Sequence, residues 1–161
     1  MTRFSILPVG LAFAIAAPAL AQTAVDYVAK AGAGDMYEKQ SSQLELKTTK
    51  NAELRKFAQM MVSDHSKSTA DVKAAAAKSG LKPKPPMLDV GQKDMIAKLT
   101  AAKGADRDAI YVSQQKSAHQ QALALHQGYA ASGDKPALKA AAGKIFPVVQ
   151  HHIEMLDAMK M

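Results

Sequence analysis

Five histidines and no cysteine define the chemistry this chain can offer. A thiolate zinc site, an iron-sulfur cluster, a disulfide framework and a catalytic thiol are all excluded, so any metal must be held by imidazole, carboxylate or thioether. His65, His119 and His152 lie far apart in sequence, yet each interrupts an apolar stripe with steps of three and four residues. The first stripe reads Leu54, Phe57, Ala58, Met61, His65, Ser68, Val72 and Ala75. The second reads Val112, Gln115, His119, Ala122, Leu123, His126 and Tyr129, and the third Leu138, Ala142, Ile145, Val149, His152, Leu156 and Met159. Such spacing gathers side chains on one helical face. Three helices therefore aim one imidazole each at a shared interior. Glu38, on one side of a helix with Ala31, Gly34, Ser41 and Glu45, is the carboxylate expected to meet them. Asp64 adjoins His65 but is turned about 100° around the helix, so it is expected at the surface or a hinge rather than as a direct partner.

This constellation has three readings. In the first and preferred one the imidazoles are neutral core groups, each paired with Glu38, Gln115, Tyr111 or a trapped water, because an unpaired buried polar group costs about 1 to 3 kcal/mol. The protein is then non-catalytic, and the His/Glu cluster stabilises its core. In the second, Glu38, His65, His119 and His152 hold one zinc, iron or copper ion, with Gln115, His126 and His151 as secondary candidates. The third is a metal-dependent oxidase or acid-base enzyme, for which neither a nucleophile nor a carboxylate pair is evident. No residue is assigned a catalytic role, and one metal ion is the only cofactor envisaged. A separate soft-ligand stretch, His151-His152-Ile153-Glu154-Met155 with Met159 and Met161, has copper-type donors. Met at helical spacing, however, is ordinarily flexible core filling.

The elements that must position these groups are helices. The chain is rich in Ala, Lys, Gln, Leu and Met and lacks alternating β-branched runs, which predicts an all-α domain over residues 22–161. A first helix is expected from about Thr23 to Thr49. Asn51 then caps a second that runs over Ala52–Lys78 and stops at Ser79-Gly80. Pro83, Pro85 and Pro86 make a stiff crossover, followed by a short helix over about Val90–Ala102. Asp106 is expected to cap a third long helix lasting to Ala131, and a fourth starts after Asp134, with Pro136 in its first turn, and runs to Lys160 with a kink at Pro147. Two tight turns and one long connection, with a short extra helix between the second and third long helices, fit the ferritin-like kind of four-helix bundle.

The N-terminus carries an address. Arg3, the apolar run from Phe4 to Ala17 and the small-x-small Ala19-Leu20-Ala21 predict a secretory signal peptide over residues 1–21, cut after Ala21. The run is shorter than the roughly 20 residues needed to span a bilayer, so no transmembrane segment is expected after cleavage, and the destination is the periplasm or the medium. The whole chain carries 21 Lys+Arg against 14 Asp+Glu, a net +7, and losing Arg3 with the leader lowers this to +6. In an envelope compartment that charge points to weak association with anionic surfaces rather than to nucleic acid. Aromatics at 5% and no Trp leave little for base stacking.

Four segments carry a resemblance. They are Ala33-Gly34-Asp35-Met36-Tyr37-Glu38 with Ser41-Ser42-Gln43-Leu44; Phe57-Ala58-Gln59-Met60-Met61-Val62-Ser63-Asp64-His65; Tyr111-Val112-Ser113-Gln114-Gln115 with Ala118-His119-Gln120-Gln121-Ala122-Leu123; and Pro147-Val148-Val149-Gln150-His151-His152. Their order over Val25 to Leu156 resembles the bacterial secreted family known as domain of unknown function 4142, one of the ferritin-like helical bundles. The resemblance implies a four-helix fold and an envelope location, and supplies no reaction. The chain departs from the di-iron oxidases of that fold, which use Glu-x-x-His pairs: the residues three before His65, His119 and His152 are Val62, Lys116 and Val149.

Overall fold

The computed structural model describes residues 22–159; the expected signal peptide, Lys160 and Met161 lie outside them. The described residues form five helices and no strand: α1 (Ala24–Thr48), α2 (Ala52–Lys78), α3 (Val90–Ala101), α4 (Gly104–Ser132) and α5 (Pro136–Ala158). None is long and apolar enough to cross a membrane.

The punctuation is local chemistry. Asn51 accepts from the backbone N–H groups of Glu53 and Leu54 at 2.9 and 3.2 Å, filling two of the donors that a helix start leaves free. Gly80, at φ +73°, closes α2; the Leu81 N–H reaches the Ala76 carbonyl and the Gly80 N–H that of Ala77, the paired bonds of a Schellman ending. Asp89 and Gln92 cap α3 reciprocally. One expected start is corrected. α4 begins at Gly104, so Asp106 stands in its first turn, where its charge suits the helix dipole, and does not cap it. α5 begins just after Asp134 with Pro136 in its first turn, as expected, and Asp134 accepts a 2.9 Å bond from the Tyr129 hydroxyl. α5 runs unbroken through Pro147.

Side-chain contacts give the helix directions. Asp35 meets His65 and Leu46 meets Arg55, so α1 and α2 are antiparallel. Tyr27 meets His126 and Ser42 meets Tyr111, so α1 and α4 are antiparallel too. His119 meets His152 and Lys116 meets Asp157, which does the same for α4 and α5. The long helices therefore run up, down, down, up, with α1 packed on α2 and α4, and α5 on α4 and α2. The crossover bearing α3 joins the two parallel ones, and α3 rests on α1 and α4.

The interior has two apolar clusters. One gathers Tyr27, Val28, Val72, Tyr129, Leu138 and Ile145 at one end, with the Tyr27 and Tyr129 rings stacked at 4.0 Å. The other gathers Leu54, Phe57, Met61, Leu99, Tyr111 and Leu156. Asp35, Glu38, His65, Gln115 and His119 lie between the two along their helices, while Glu45 and Arg107 are buried toward the outer end of the second. Leu138→Ala, at a fully buried site, is expected to cost about 2 to 5 kcal/mol, and Asn51→Ala about 1 kcal/mol through the lost cap. Urea unfolding checks both, and near-equal losses would refute this ranking.

Candidate functional site

Four helices supply the polar layer. α1 brings Asp35 and Glu38, one turn apart on the same face; α2 brings His65, α4 His119 and α5 His152, and all five are at most 3% exposed. Small neighbours such as Ala31 and Ser41 let α1 come close to the imidazoles. His65 Nδ1 lies 2.9 Å from both Asp35 Oδ1 and Glu38 Oε2. His119 Nδ1 lies 2.8 Å from the Gln115 carbonyl and 3.4 Å from Glu38 Oε1. His152 Nε2 lies 3.1 Å from Asp64 Oδ2, while its Nδ1 faces His119 Nε2 at 3.3 Å. One ring nitrogen from each of the three histidines lies within 4.8 Å of the others.

These contacts fix the tautomers. Carbonyl and carboxylate oxygens only accept, so His65 Nδ1, His119 Nδ1 and His152 Nε2 each donate outward. When the rings are neutral, the other nitrogens carry lone pairs. His119 Nε2 and His152 Nδ1 then face one another with no proton between them, and His65 Nε2 is buried without a partner. An arrangement in which each ring donates outward to an oxygen and turns its lone pair inward is what metal-ligating histidines require. A four-coordinate zinc with bonds of about 2.0–2.1 Å separates its nitrogen ligands by roughly 3.3–3.4 Å, and the 3.3 Å between His119 and His152 matches that edge.

Glu38 meets the histidines, as the α1 face predicts, but through their outer nitrogens, as a group that orients His65. Gln115 is buried; its side-chain amide donates to Ser41 Oγ at 2.9 Å and its carbonyl orients His119. His126 is buried away from the trio and pairs with the Tyr27 hydroxyl at 3.0 Å. His151 is exposed beside Glu154. Met155 and Met159 pack on the second apolar cluster, so the described residues of the C-terminal soft-ligand stretch are not gathered around one point; Met161 lies outside them. Two partners escape the sequence reading. Asp64 is corrected from a surface carboxylate to the partner of His152: the rotation that takes it off the core stripe of α2 turns it toward α5. Asp35 binds His65 and, at 3.0 Å, the Thr69 hydroxyl; its i, i+3 relation to Glu38 was the available signal.

The layer divides its charge. Burial alone would raise the Glu38 carboxyl, but His65 and then His119 outweigh it and hold the group at about 2. Burial opposes a charge on His65, yet Glu38 and the bonds to Asp35 and Glu38 outweigh it and lift the ring to about 10. Burial pushes His119 down against the pull of Glu38, and burial together with the charges of His65 and His119 pushes His152 down to about 4. Metal-free, the layer thus holds one imidazolium at His65 beside two neutral rings. Below about pH 6.5 the unfolded chain binds protons that folded His152, and at lower pH folded Glu38, refuse, so stability rises with pH. From about 6.5 to 10 the fold keeps a proton on His65 that the unfolded chain has lost, so stability falls. These groups place maximum stability near pH 6.5. Urea midpoints measured in chelator across this range check it, and a midpoint still climbing at about pH 8 would contradict it.

No curated protein matches the chain. Among solved structures it is similar to a DUF305 fragment from Deinococcus radiodurans, at 13% identity and TM-score 0.73 over 83% of this chain and 92% of that one. It is also similar to a DUF305 protein from Streptomyces coelicolor, at 14% identity and TM-score 0.68 over 83% and 88%. At such identities the likeness is one of fold alone. Residues 11–159 match the family described as Domain of unknown function (DUF4142), and with nearly its whole length inside that match the chain belongs to this family.

Proposed function

We propose that this protein is an exported, ferritin-like helical bundle that holds a single divalent transition-metal ion on His65, His119 and His152. The observation that carries this is the inward convergence of ring nitrogens whose opposite nitrogens are already committed to oxygen acceptors. Glu38 and Asp35 orient His65, the Gln115 carbonyl orients His119 and Asp64 orients His152. Imidazole donors suit zinc, copper and iron alike. The export reading rests on the leader expected at residues 1–21 and accords with the provisional description of the Streptomyces coelicolor neighbour as secreted. In that compartment the basic surface favours weak contact with anionic polymers over nucleic acid.

A second reading is favoured by one observation, the imidazolium at His65. There a proton takes the place of the metal, and the His65 ion pairs with Asp35 and Glu38 simply fix the register of the four long helices. The two readings part on titration of untagged protein with zinc after chelator treatment. The metal reading expects one equivalent bound, no binding in His119→Ala or His152→Ala, and about 10- to 100-fold weaker binding in Asp64→Asn, which disturbs only an orienting contact. Because the metal displaces the His65 proton, affinity is expected to rise with pH up to about 10. Wild-type protein that binds no zinc, copper or iron would overturn the metal reading and leave the proton-held layer.

A further inference from the structure

The carboxylate side of the polar layer is not sealed. A cavity of about 770 Å³ lies between α1, α3 and α4, and its walls include Gly34, Asp35 and Glu38 from α1, Met95 from α3 and Ala122 and His126 from α4. Both carboxylates are buried residues, and Glu38 Oε1 has no hydrogen-bond partner. Elsewhere around the trio Phe57 packs beside His119 and His152, with ring centroids at 6.5 and 6.3 Å, and Asp64 bonds His152 on the α2–α5 side. We propose that this cavity is the port through which a hydrated divalent cation reaches the three-histidine seat, with Asp35 and Glu38 as the first carboxylates it meets; this rests on the metal reading above.

Size and charge both support this assignment. A water occupies about 30 Å³ of liquid volume, so a six-water shell needs only a fraction of the cavity, and the ion can enter before shedding it. Small side chains at Gly34 and Ala122 keep the passage wide. Two carboxylates set in low-dielectric walls focus the field for cations at the inner end, while Lys30 and Asp89, exposed lining residues of opposite sign, offset one another. The roof is lightly held. α3 has only Leu99 buried, and near the cavity it is tied by the Gln114 side-chain amide donating to the Met95 carbonyl at 3.1 Å, with Gln114 Oε1 accepting from the Tyr37 hydroxyl at 3.0 Å.

The port can be narrowed without touching the seat. A Cβ at Gly34 meets nothing within 4 Å and its φ is not left-handed, so the backbone accepts a side chain there and Gly34→Leu extends one into the passage. Ala122→Leu fills it from α4. Gly128→Leu, at an exposed α4 site with equally open space, is the control. Cobalt(II) uptake is followed by stopped-flow absorbance and release by transfer to a chelator. Both filling variants are expected to slow uptake and release about tenfold with the equilibrium Kd unchanged, while the control matches wild type. Wild-type rates in both filling variants would overturn the port and leave the seat standing. A Kd weakened as much as the rate would also overturn it, since the seat would then be perturbed. Wild type that takes up no cobalt overturns the seat, and the port with it.

Discussion

Everything in this bundle is arranged around the cost of burying Asp35 and Glu38 together. Two carboxylates a turn apart on one helix, both shielded from water, repel one another and lose their hydration. Such a pair persists in a folded protein by sharing a proton or by facing a positive partner, and His65 Nδ1 lies 2.9 Å from an oxygen of each. A cation on His65 in turn disfavours a charge on His119 and His152, which stay neutral with their lone pairs turned inward. The acidic pair thus sets the protonation of the whole layer. Burial of an ion pair is weak evidence for net stability, so the layer calls for an explanation beyond holding helices together, and a cation seat supplies one.

The two apolar clusters follow from the same constraint. On α2 and α5 buried apolar residues stand on both sides of the histidine, which ties the register of these helices to the layer. The short α3 stands outside this scheme. With one buried residue and a proline-rich approach, it adds little to the core and stands over a face where the layer meets a cavity. A roof held by few apolar contacts opens at lower free energy than the core it covers.

Much of the fold was legible because its signals are local. The α2 boundaries follow from Asn51 and Gly80, and the inward phase of His65, His119 and His152 follows from stripes of three and four residues in which each histidine replaces an apolar residue. Less was legible where two helices share one side chain. Asp64 leaves the stripe of its own helix, and only the placement of α5 beside α2 turns that departure into a bond with His152. Asp35 was visible as a motif residue, and its place one turn before Glu38 was the only signal that set it apart from a surface acid. Its burial depends on how closely α1 approaches α2. The start of α4 at Lys103 has no side-chain cap to mark it in the sequence, whereas Pro136 in the first turn marked that of α5.

Charge also argues for one ion rather than two. Asp35, Glu38 and His65 form a second convergent group that shares His65 with the histidine trio, so a bridged pair of ions is geometrically conceivable. With His65 protonated, the buried layer carries a single net negative charge. Replacing that proton with one divalent ion on the trio leaves His65 neutral and the two carboxylates balance the ion completely. A second divalent ion would leave an excess positive charge on the buried groups even if His65 gave up both protons to bridge; the remaining carboxylate at the site, Asp64 on His152, is about a third exposed, so water screens its charge. An uncompensated charge at such depth costs several kcal/mol, far more than an additional ligand bond to a shared imidazole recovers once the ion's own dehydration is counted. The same arithmetic disfavours a monovalent occupant, which would do no better than the proton it displaced. A single divalent ion is the occupant that brings the layer to neutrality.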